Sequence, residues 1–199
     1  MRVLIVGAEG TVGKAATGEL GRRHEIIKAG RSTGSVKADL TDEASIHAMF
    51  KKLGKLDAVV ATAGHVHFGP LATMTGEQFK KGLLDKLLGQ VNLALIAQHY
   101  LNDGGSITLT SGVLDRDPVR QGANAAAVNG ALGAFVKSAA IEMPRGLRIN
   151  AVSPGLLEES VKTFEGYFPG HEPVSSARVG LAFAKSVEGA LTGQVICVG

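Results

Sequence analysis

Short apolar runs alternate along the chain with longer segments in which apolar residues recur every three or four positions. The short runs are typical of buried strands, and the longer segments are typical of helices that cover them. The predicted strands are Arg2–Val6, Glu25–Lys28, Val36–Ala38, Asp57–Ala61, Ser106–Thr110, Leu147–Val152 and Gln194–Val198. The predicted helices are Val12–Gly21, Asp42–Leu53, Gly76–Leu101, Ala123–Met143 and Val174–Val187, with a weaker helical pattern at Glu158–Phe164.

This alternation of strands and helices predicts a parallel sheet with helices on both faces. We therefore expect an α/β fold, a Rossmann-type three-layer sandwich with a seven-stranded parallel sheet. No repeat, low-complexity tract or linker interrupts the pattern, so residues 1–199 are expected to form a single domain. Only about seven residues, Ala29 to Ser35, join the second and third strands, whereas a parallel crossover normally needs about a dozen or more. The helix between these two strands is therefore expected to be missing.

Composition narrows the class of protein. The chain has 199 residues, 45% of them hydrophobic, which suits one sizeable core. The net charge is only +3, and the basic pairs Arg22-Arg23, Lys51-Lys52 and Lys80-Lys81 are far apart, which argues against a nucleic-acid surface.

No apolar run approaches the roughly 18 residues of a membrane span, and the first strand turns at Gly7, too early for a secretory signal. These features predict a cytoplasmic protein, in which the lone Cys197 is a buried thiol of the last strand.

The first predicted strand leads directly into a glycine-rich turn and then a helix. Glycines at 7, 10 and 13 permit a tight turn and a close approach of the backbone to a pyrophosphate, which would lie on the helix N-terminus. The position of the pattern between a strand and a helix makes it a predicted dinucleotide-binding turn. The residues predicted to contact the cofactor here are Gly7, Glu9, Gly10, Thr11, Val12 and Gly13.

The end of the second strand indicates which dinucleotide binds. NAD-binding proteins usually carry an acidic residue here for the ribose 2′-hydroxyl. This chain instead has Arg31, whose guanidinium fork suits a 2′-phosphate, followed by the hydroxyl donors Ser32 and Thr33. With no acidic residue in the segment to repel a phosphate, NADP(H) is favoured over NAD(H). The alternative is that Arg31 is simply an exposed loop residue.

Two further segments carry a family resemblance: Gly105-Ser106-Ile107-Thr108-Leu109-Thr110-Ser111-Gly112 and Arg148-Ile149-Asn150-Ala151-Val152-Ser153-Pro154-Gly155. Together with the glycine turn, they resemble the short-chain dehydrogenase/reductase family over the whole chain. The resemblance implies that Asp39 and Leu40 lie beside the adenine ring and that Ala63 and Gly64 lie beside the cofactor. It also places Pro154 and Gly155 beside the nicotinamide, and Ser111 at the position of the family's catalytic serine.

The Tyr-x-x-x-Lys pair of that family is absent. The two tyrosines, Tyr100 and Tyr167, are each followed four residues later by something other than lysine. Aligning Leu132, Phe135 and Glu142 with the family's active-site helix puts Ala125 at the tyrosine position and Asn129 at the lysine position. A shift by one residue would give Asn124 and Val128, and neither register restores a phenol or an ammonium. The chain thus resembles a small subgroup that retains the nucleotide turn without the usual active-site residues, with Asn129 keeping the ribose contact.

Lys86 is the predicted replacement for the missing proton donor. Phe79 and Gly89 align the preceding helix with the family and put Lys86 where the family carries an asparagine. Desolvation there would lower the pKa of the lysine and allow it to donate a proton. The alternative is a surface lysine on an amphipathic helix. His65 and His67 could also approach the substrate, but no third ligand converges with them, so no metal site is predicted.

Two functions remain open from the sequence. The first is an NADP(H)-dependent oxidoreductase that acts on a carbonyl or alcohol small molecule, with Ser111 and Lys86 as catalytic groups. The second is an NADP(H)-binding sensor or interaction protein without turnover. In either case we expect a homodimer or homotetramer, because the family packs the helices Gly76–Leu101 and Ala123–Met143 into its interfaces. The second of these helices is also apolar around much of its circumference.

Overall fold

The computed structural model describes all residues from Met1 to Gly199. Seven parallel strands form one sheet in the order β3-β2-β1-β4-β5-β6-β7, which confirms the predicted fold class. The strands are β1 Arg2–Val6, β2 Glu25–Gly30, β3 Val36–Lys37, β4 Leu56–Ala61, β5 Leu101–Thr110, β6 Arg148–Pro154 and β7 Val195–Val198.

Six α-helices connect the strands. They are α1 Thr11–Leu20, α2 Glu43–Leu53, α3 Gly76–Gly82, α4 Gly89–Ala97, α5 Ala123–Glu142 and α6 Ser176–Glu188. A π-helical turn, Leu83–Leu88, joins α3 to α4. No helix combines the length and apolar composition that crossing a membrane requires.

The sheet separates two apolar cores, one on each face. Alternate residues of a strand point to opposite faces, so Leu4 and Val6 of β1 enter one core while Val3 and Ile5 enter the other. The larger core includes buried residues of α2, α4 and α5, and the smaller one includes buried residues of α1 and α6. Burial on both faces explains why the strands are apolar at nearly every position.

No helix connects β2 to β3, as the short connection predicted. The chain instead turns through an exposed loop with Gly34 at a φ of +84°, and the Ser35 amide donates to the Lys28 carbonyl at 2.9 Å. The third strand is shorter than predicted, with only two residues paired to β2. The sheet therefore ends on this side in a strand of only two residues.

Several predicted boundaries are wrong. The helix predicted over Gly76–Leu101 is interrupted by the π-helical turn and ends at Ala97, and β5 begins at Leu101 rather than Ser106. The last helix begins at Ser176 rather than Val174, because Val174 forms an isolated bridge with Leu157 and Ser175 caps the helix. The weaker helix at Glu158–Phe164 is a 3₁₀ turn of three residues, Glu158–Ser160, followed by non-helical turns.

Cys197 is exposed, and the prediction of a buried thiol is wrong. The last strand lies at the edge of the sheet and pairs only with β6, so one of its faces is not covered.

Candidate active site

The glycine turn after β1 forms a cradle at the start of α1. Gly7 has a φ of +87°, and a Cβ there would lie 2.7 Å from the backbone nitrogen of Ala63. A Cβ on Gly13 would lie 2.1 Å from the Gly7 oxygen, so a side chain at either position would collide with backbone. Gly10 caps α1 without a side chain, and the first amides of the helix lack intrahelical partners. These residues fit a pyrophosphate, since the cradle offers N–H donors and the positive end of the helix dipole.

A cleft of about 450 Å³ extends from this cradle along the carboxyl ends of β1 and β2. Several residues predicted to bind the cofactor line it together: Gly7, Gly10, Arg31, Ser32, Thr33, Leu40, Ala63 and Gly64. Glu9 and Thr11 do not line it, and the Glu9 carboxylate instead pairs with Lys28 at 3.1 Å. The glycine turn and the short β2–β3 loop thus line the same cleft.

Arg31 has acidic neighbours, contrary to the expectation from its sequence segment. Its Nε lies 3.1 Å from Asp39 Oδ2, and its Nη2 lies 3.6 Å from Asp85 Oδ2. Asp39 also accepts hydrogen bonds from the hydroxyl and the amide of Thr41, and these bonds, with the Arg31 charge, lower the pKa of Asp39. The fold brings both acids to Arg31 from other segments, so the residues next to it in sequence did not indicate them.

A second cavity of about 230 Å³ lies at the carboxyl ends of β4, β5 and β6. It shares Thr62, Ala63 and Gly64 with the first cleft, so the two spaces adjoin. The cavity brings together predicted site residues from six separate segments: Val12, Gly64, Lys86, Ser111, Asn129, Pro154 and Gly155.

Lys86 enters this cavity from the π-helical turn. Its Nζ donates to the Ser111 carbonyl oxygen at 2.8 Å and to Asn129 Oδ1 at 2.8 Å. Burial lowers the pKa of Lys86 to about 8, and the nearby Asp115 opposes this shift. Most molecules therefore carry a protonated Lys86 at neutral pH, and two of its three N–H donors are in use.

Gly64 allows the π-helical turn to approach the end of β4. Its φ is +126°, and a Cβ there would lie 2.7 Å from both Cα and Cβ of Lys86. Single π-helical turns often occur at functional sites, because the extra residue redirects the side chains of one turn.

Gln90 is a residue that sequence reasoning missed. It is fully buried, its Nε2 donates to the carbonyl oxygens of Ala63 and Thr110 at 3.1 Å each, and its Oε1 accepts from the Thr110 amide at 2.8 Å. This side chain ties the ends of β4 and β5 together beneath the cavity. The signal for it was an amide side chain in the otherwise apolar segment of α4, four residues after Lys86.

Ser111 lines the cavity and is only 3% exposed. Its amide donates to the Val152 carbonyl at 2.9 Å, but its Oγ is buried and has no hydrogen-bond partner. An unpartnered buried hydroxyl costs roughly 1–3 kcal/mol. A ligand oxygen in the cavity would relieve that cost.

Ala125 and Asn129 both line the cavity, on one face of α5. Asn124, from the alternative register, instead donates to the Phe79 carbonyl at 2.6 Å and accepts from the His67 amide at 2.8 Å. The geometry therefore favours the register that places Ala125 and Asn129 in the site. The small side chain of Ala125 leaves room where a tyrosine ring would otherwise lie.

The two histidines after β4 take different positions. His65 lines the cofactor cleft with a largely exposed side chain, and its Nδ1 lies 3.5 Å from Asp85. His67 contributes its amide to Asn124 and does not line the second cavity. No group of three or more histidine, cysteine, aspartate or glutamate side chains is placed to hold a metal ion.

Three phenylalanine side chains contribute to the lining of the second cavity. Phe68, from the loop after β4, lies 5.7 Å from Phe164, and Phe164 lies 5.8 Å from Phe168, measured between ring centroids. These rings are tilted or perpendicular to one another and form an aromatic wall.

A family profile described as "Enoyl-(Acyl carrier protein) reductase" matches residues 7–198. The chain belongs to the short-chain dehydrogenase/reductase family. Among relatives of known activity, versicolorin reductase 1 of Dothistroma septosporum is 28% identical over 203 residues, which cover 88% of this chain and 77% of that protein. The tetrahydroxynaphthalene reductase of Pyricularia oryzae is also 28% identical over 203 residues, which cover 88% of this chain and 72% of that protein. These relatives support an oxidoreductase.

Solved structures of the family share the whole fold. The protein lin1944 from Listeria innocua is 49% identical in sequence to this chain. Its crystal structure matches the present structure with a TM-score of 0.98 over 100% of both chains. A small-chain dehydrogenase in complex with NADPH is 29% identical, with a TM-score of 0.87 over 100% of this chain and 96% of that chain. The family and this neighbour support a nicotinamide cofactor in the cleft.

Proposed function

We propose that this protein is an NADP(H)-dependent oxidoreductase that reduces a carbonyl group of a small molecule, or oxidises the corresponding alcohol. The observation that carries the proposal is the Lys86 ammonium, which bonds to Asn129 and to the backbone of Ser111 inside the second cavity. This arrangement would supply a proton donor in a short-chain dehydrogenase/reductase that lacks the Tyr-x-x-x-Lys pair. The protein would thus belong to the subgroup with an altered active site.

Residues of the first cleft and of the adjoining second cavity would together hold the cofactor. The glycine turn and the start of α1 would hold the pyrophosphate, and Arg31 with Ser32 and Thr33 would hold the 2′-phosphate. Asn129 would bond to the nicotinamide ribose, while Pro154 and Gly155 would border the ring. When bound, the cofactor supplies or accepts the hydride. The NADPH in a structural neighbour that is 29% identical supports this assignment.

Lys86 and Ser111 would act on the substrate oxygen. As the new C–H bond forms, the π electrons of the carbonyl move to oxygen, and that oxygen takes a proton from the Lys86 ammonium. Lys86 then regains a proton from water. The unpartnered Ser111 hydroxyl would donate a hydrogen bond to the same oxygen and orient the carbonyl.

Stopped-flow measurement of NADPH absorbance against a panel of carbonyl compounds tests the proposal. We expect turnover by the wild type, and a loss of roughly a hundredfold or more in Lys86→Met and in Ser111→Ala, with little change in NADPH affinity. Lys81→Met is the matched control, because Lys81 is exposed on α3 and outside both cavities.

Unchanged turnover in Lys86→Met would overturn the mechanism but not the cofactor assignment. If the wild type binds NADPH and reduces no carbonyl in the panel, the sensor or interaction function becomes the better account.

A further inference from the structure

We infer that Lys86 is also a covalent capture site for small aldehydes, a chemistry that does not depend on the proposed reduction. When its side chain is neutral, the amine attacks the aldehyde carbon in the second cavity and forms a reversible imine. The hydrogen bonds of the amine, the neighbouring Ser111 hydroxyl and the lining of the cavity carry this inference.

The hydrogen bonds of Lys86 leave one position of its nitrogen free. The Nζ atom donates at 2.8 Å to the Ser111 carbonyl oxygen and at 2.8 Å to Asn129 Oδ1, and no third acceptor in the protein bonds to it. An ammonium has three N–H donors, so loss of the third proton breaks neither hydrogen bond. The lone pair of the neutral amine then occupies the free position, while the two remaining N–H groups hold the nitrogen at the wall of the cavity.

A usable fraction of Lys86 is neutral near pH 7. Burial lowers the pKa of its ammonium to about 8, and the negative charge of Asp115 opposes this shift without cancelling it. About a tenth of the molecules therefore carry the neutral amine at pH 7, whereas an unperturbed lysine is neutral in fewer than about one molecule in a thousand. Desolvation of this kind is what activates lysine amines for imine formation with carbonyl compounds.

The reaction needs only the amine and the aldehyde. The nitrogen lone pair forms a C–N bond to the aldehyde carbon while the π electrons move to oxygen, and a proton passes from nitrogen to that oxygen to give a carbinolamine. Loss of the hydroxyl group with the remaining N–H proton, as water, leaves the imine.

Two neighbouring side chains favour these steps. The Ser111 hydroxyl is buried, lines the cavity and has no partner in the protein, so it can donate to the aldehyde oxygen and then to the departing hydroxyl group. Protonation of the imine restores a positive charge at the nitrogen. The negative charge of Asp115, which already favours the charged form of Lys86, stabilises that iminium as well.

The cavity favours small, uncharged aldehydes. Its volume is about 230 Å³, and Phe68, Phe164, Phe168 and Ala125 contribute apolar surface to its lining. Such a lining binds an alkyl chain and disfavours a second charged group. An aldehyde carbon carries a single carbon substituent and is less crowded than a ketone carbon, so a nitrogen held at the wall reaches it more easily.

Reductive trapping with butanal and excess sodium cyanoborohydride at pH 7 tests the inference, because cyanoborohydride converts the imine into a stable butyl amine. Mass spectrometry of the intact chain gives the number of butyl groups, and peptide mapping assigns them among the lysines and the N-terminal amine. We expect Lys86 to be alkylated at least about tenfold faster than the exposed Lys81, because a larger fraction of its amine is neutral.

Variants assign the adduct to the amine of Lys86. Lys86→Met and Lys86→Arg should both lose it, although Lys86→Arg keeps a cation in the cavity, because a guanidinium stays protonated and has no free lone pair. Lys81→Met is the matched control and should leave alkylation of Lys86 unchanged. Ser111→Ala should slow that alkylation, since it removes the hydroxyl and leaves the amine. A cooperative thermal unfolding transition in each variant shows that it is folded.

The inference is overturned if Lys86 is not alkylated, or is alkylated no faster than Lys81. Reduction of carbonyl compounds by NADPH without an adduct at Lys86 would reject the capture site and leave the proposed function intact. An adduct at Lys86 without NADPH-dependent turnover of any carbonyl compound would support the capture site and reject the reductase.

Discussion

Lys86 and Asn129 are hydrogen-bonded to each other in the second cavity, and in the alignment predicted from the sequence each occupies the position at which the family carries the other residue type. The Lys86 ammonium donates to two neutral oxygens, the Ser111 carbonyl and Asn129 Oδ1. The site therefore contains both a cation and an amide, with the cation on the π-helical turn and the amide on α5. We propose that the charge that the family supplies from its active-site helix is supplied here from the π-helical turn. What the exchange does not restore is the phenol, since Ala125 provides no proton.

The pH dependence of reduction should follow the pKa of Lys86, which burial lowers to about 8. The donor must be protonated, so kcat/KM for reduction should be level below pH 8 and fall about tenfold per pH unit above it. Lys86→Arg should lose this alkaline decline, because a guanidinium does not titrate in the range. A pH–rate profile with separately measured NADPH affinity checks this, and a wild-type profile that stays flat to pH 10 would contradict it.

Arg31 should determine cofactor preference, although two carboxylates share its guanidinium. We expect calorimetry to show NADPH binding at least tenfold tighter than NADH, about 1.4 kcal/mol, and Arg31→Ala to remove the difference. Asp85→Asn should widen the preference, since it removes a negative charge next to the 2′-phosphate. Equal affinities for the two cofactors, or no loss in Arg31→Ala, would show that the phosphate is not bound here.

At the scale of elements, the strand pattern predicted the sheet because burial on both faces leaves a clear apolar signature. It missed the first part of β5, where Asn102, Asp103 and two glycines interrupt the apolar pattern while the strand still pairs with β4 through an irregular register. It also missed the π-helical turn, because a one-residue change in helical pairing leaves little trace in hydrophobic periodicity.

The candidate site was only partly predictable for a related reason. Lys86, Ser111 and Asn129 could be aligned with a family pattern, and the structure brings them together. Gln90, the contact of Asp85 with Arg31 and the aromatic wall depend on segments that are distant in sequence, such as the loops with Phe68 and Phe164. No local pattern encodes such contacts.

Gly64 should be essential for the position of the π-helical turn. Gly64→Ala would place a Cβ 2.7 Å from Lys86 Cα at a φ of +126°, so we expect a loss of roughly 1–3 kcal/mol in the free energy of unfolding and a large loss of turnover. Gly76→Ala is the matched control, because a Cβ there meets nothing within 4 Å. Thermal unfolding and steady-state kinetics of both variants check this, and a stable, fully active Gly64→Ala would show that the turn can shift without cost.

At the scale of the whole molecule, exposed apolar residues suggest where copies of the chain meet. Leu84, Leu88 and Leu95 are exposed along the π-helical turn and α4, and Ile141 near the end of α5 is 86% exposed. We propose a homodimer or homotetramer with two-fold symmetry formed through these helices.

Light scattering at micromolar concentration should give a multiple of the 20.5 kDa chain mass. Leu88→Lys combined with Leu95→Lys should reduce that mass, whereas Leu71→Lys, at another exposed leucine, should not. A monomeric wild type would contradict the proposal.

The missing helix between β2 and β3 also affects how the protein moves. The third strand holds the sheet edge through two paired residues, and the loop before it is exposed, so this edge has little to keep it closed. We expect its backbone amides to exchange with solvent deuterium faster than those of β1 or β4, at a rate set by local opening rather than by global unfolding. Because Arg31 and Thr33 of the same loop line the cofactor cleft, a bound dinucleotide should slow that exchange. The ligand would then replace the absent helix as the element that holds this edge of the sheet together.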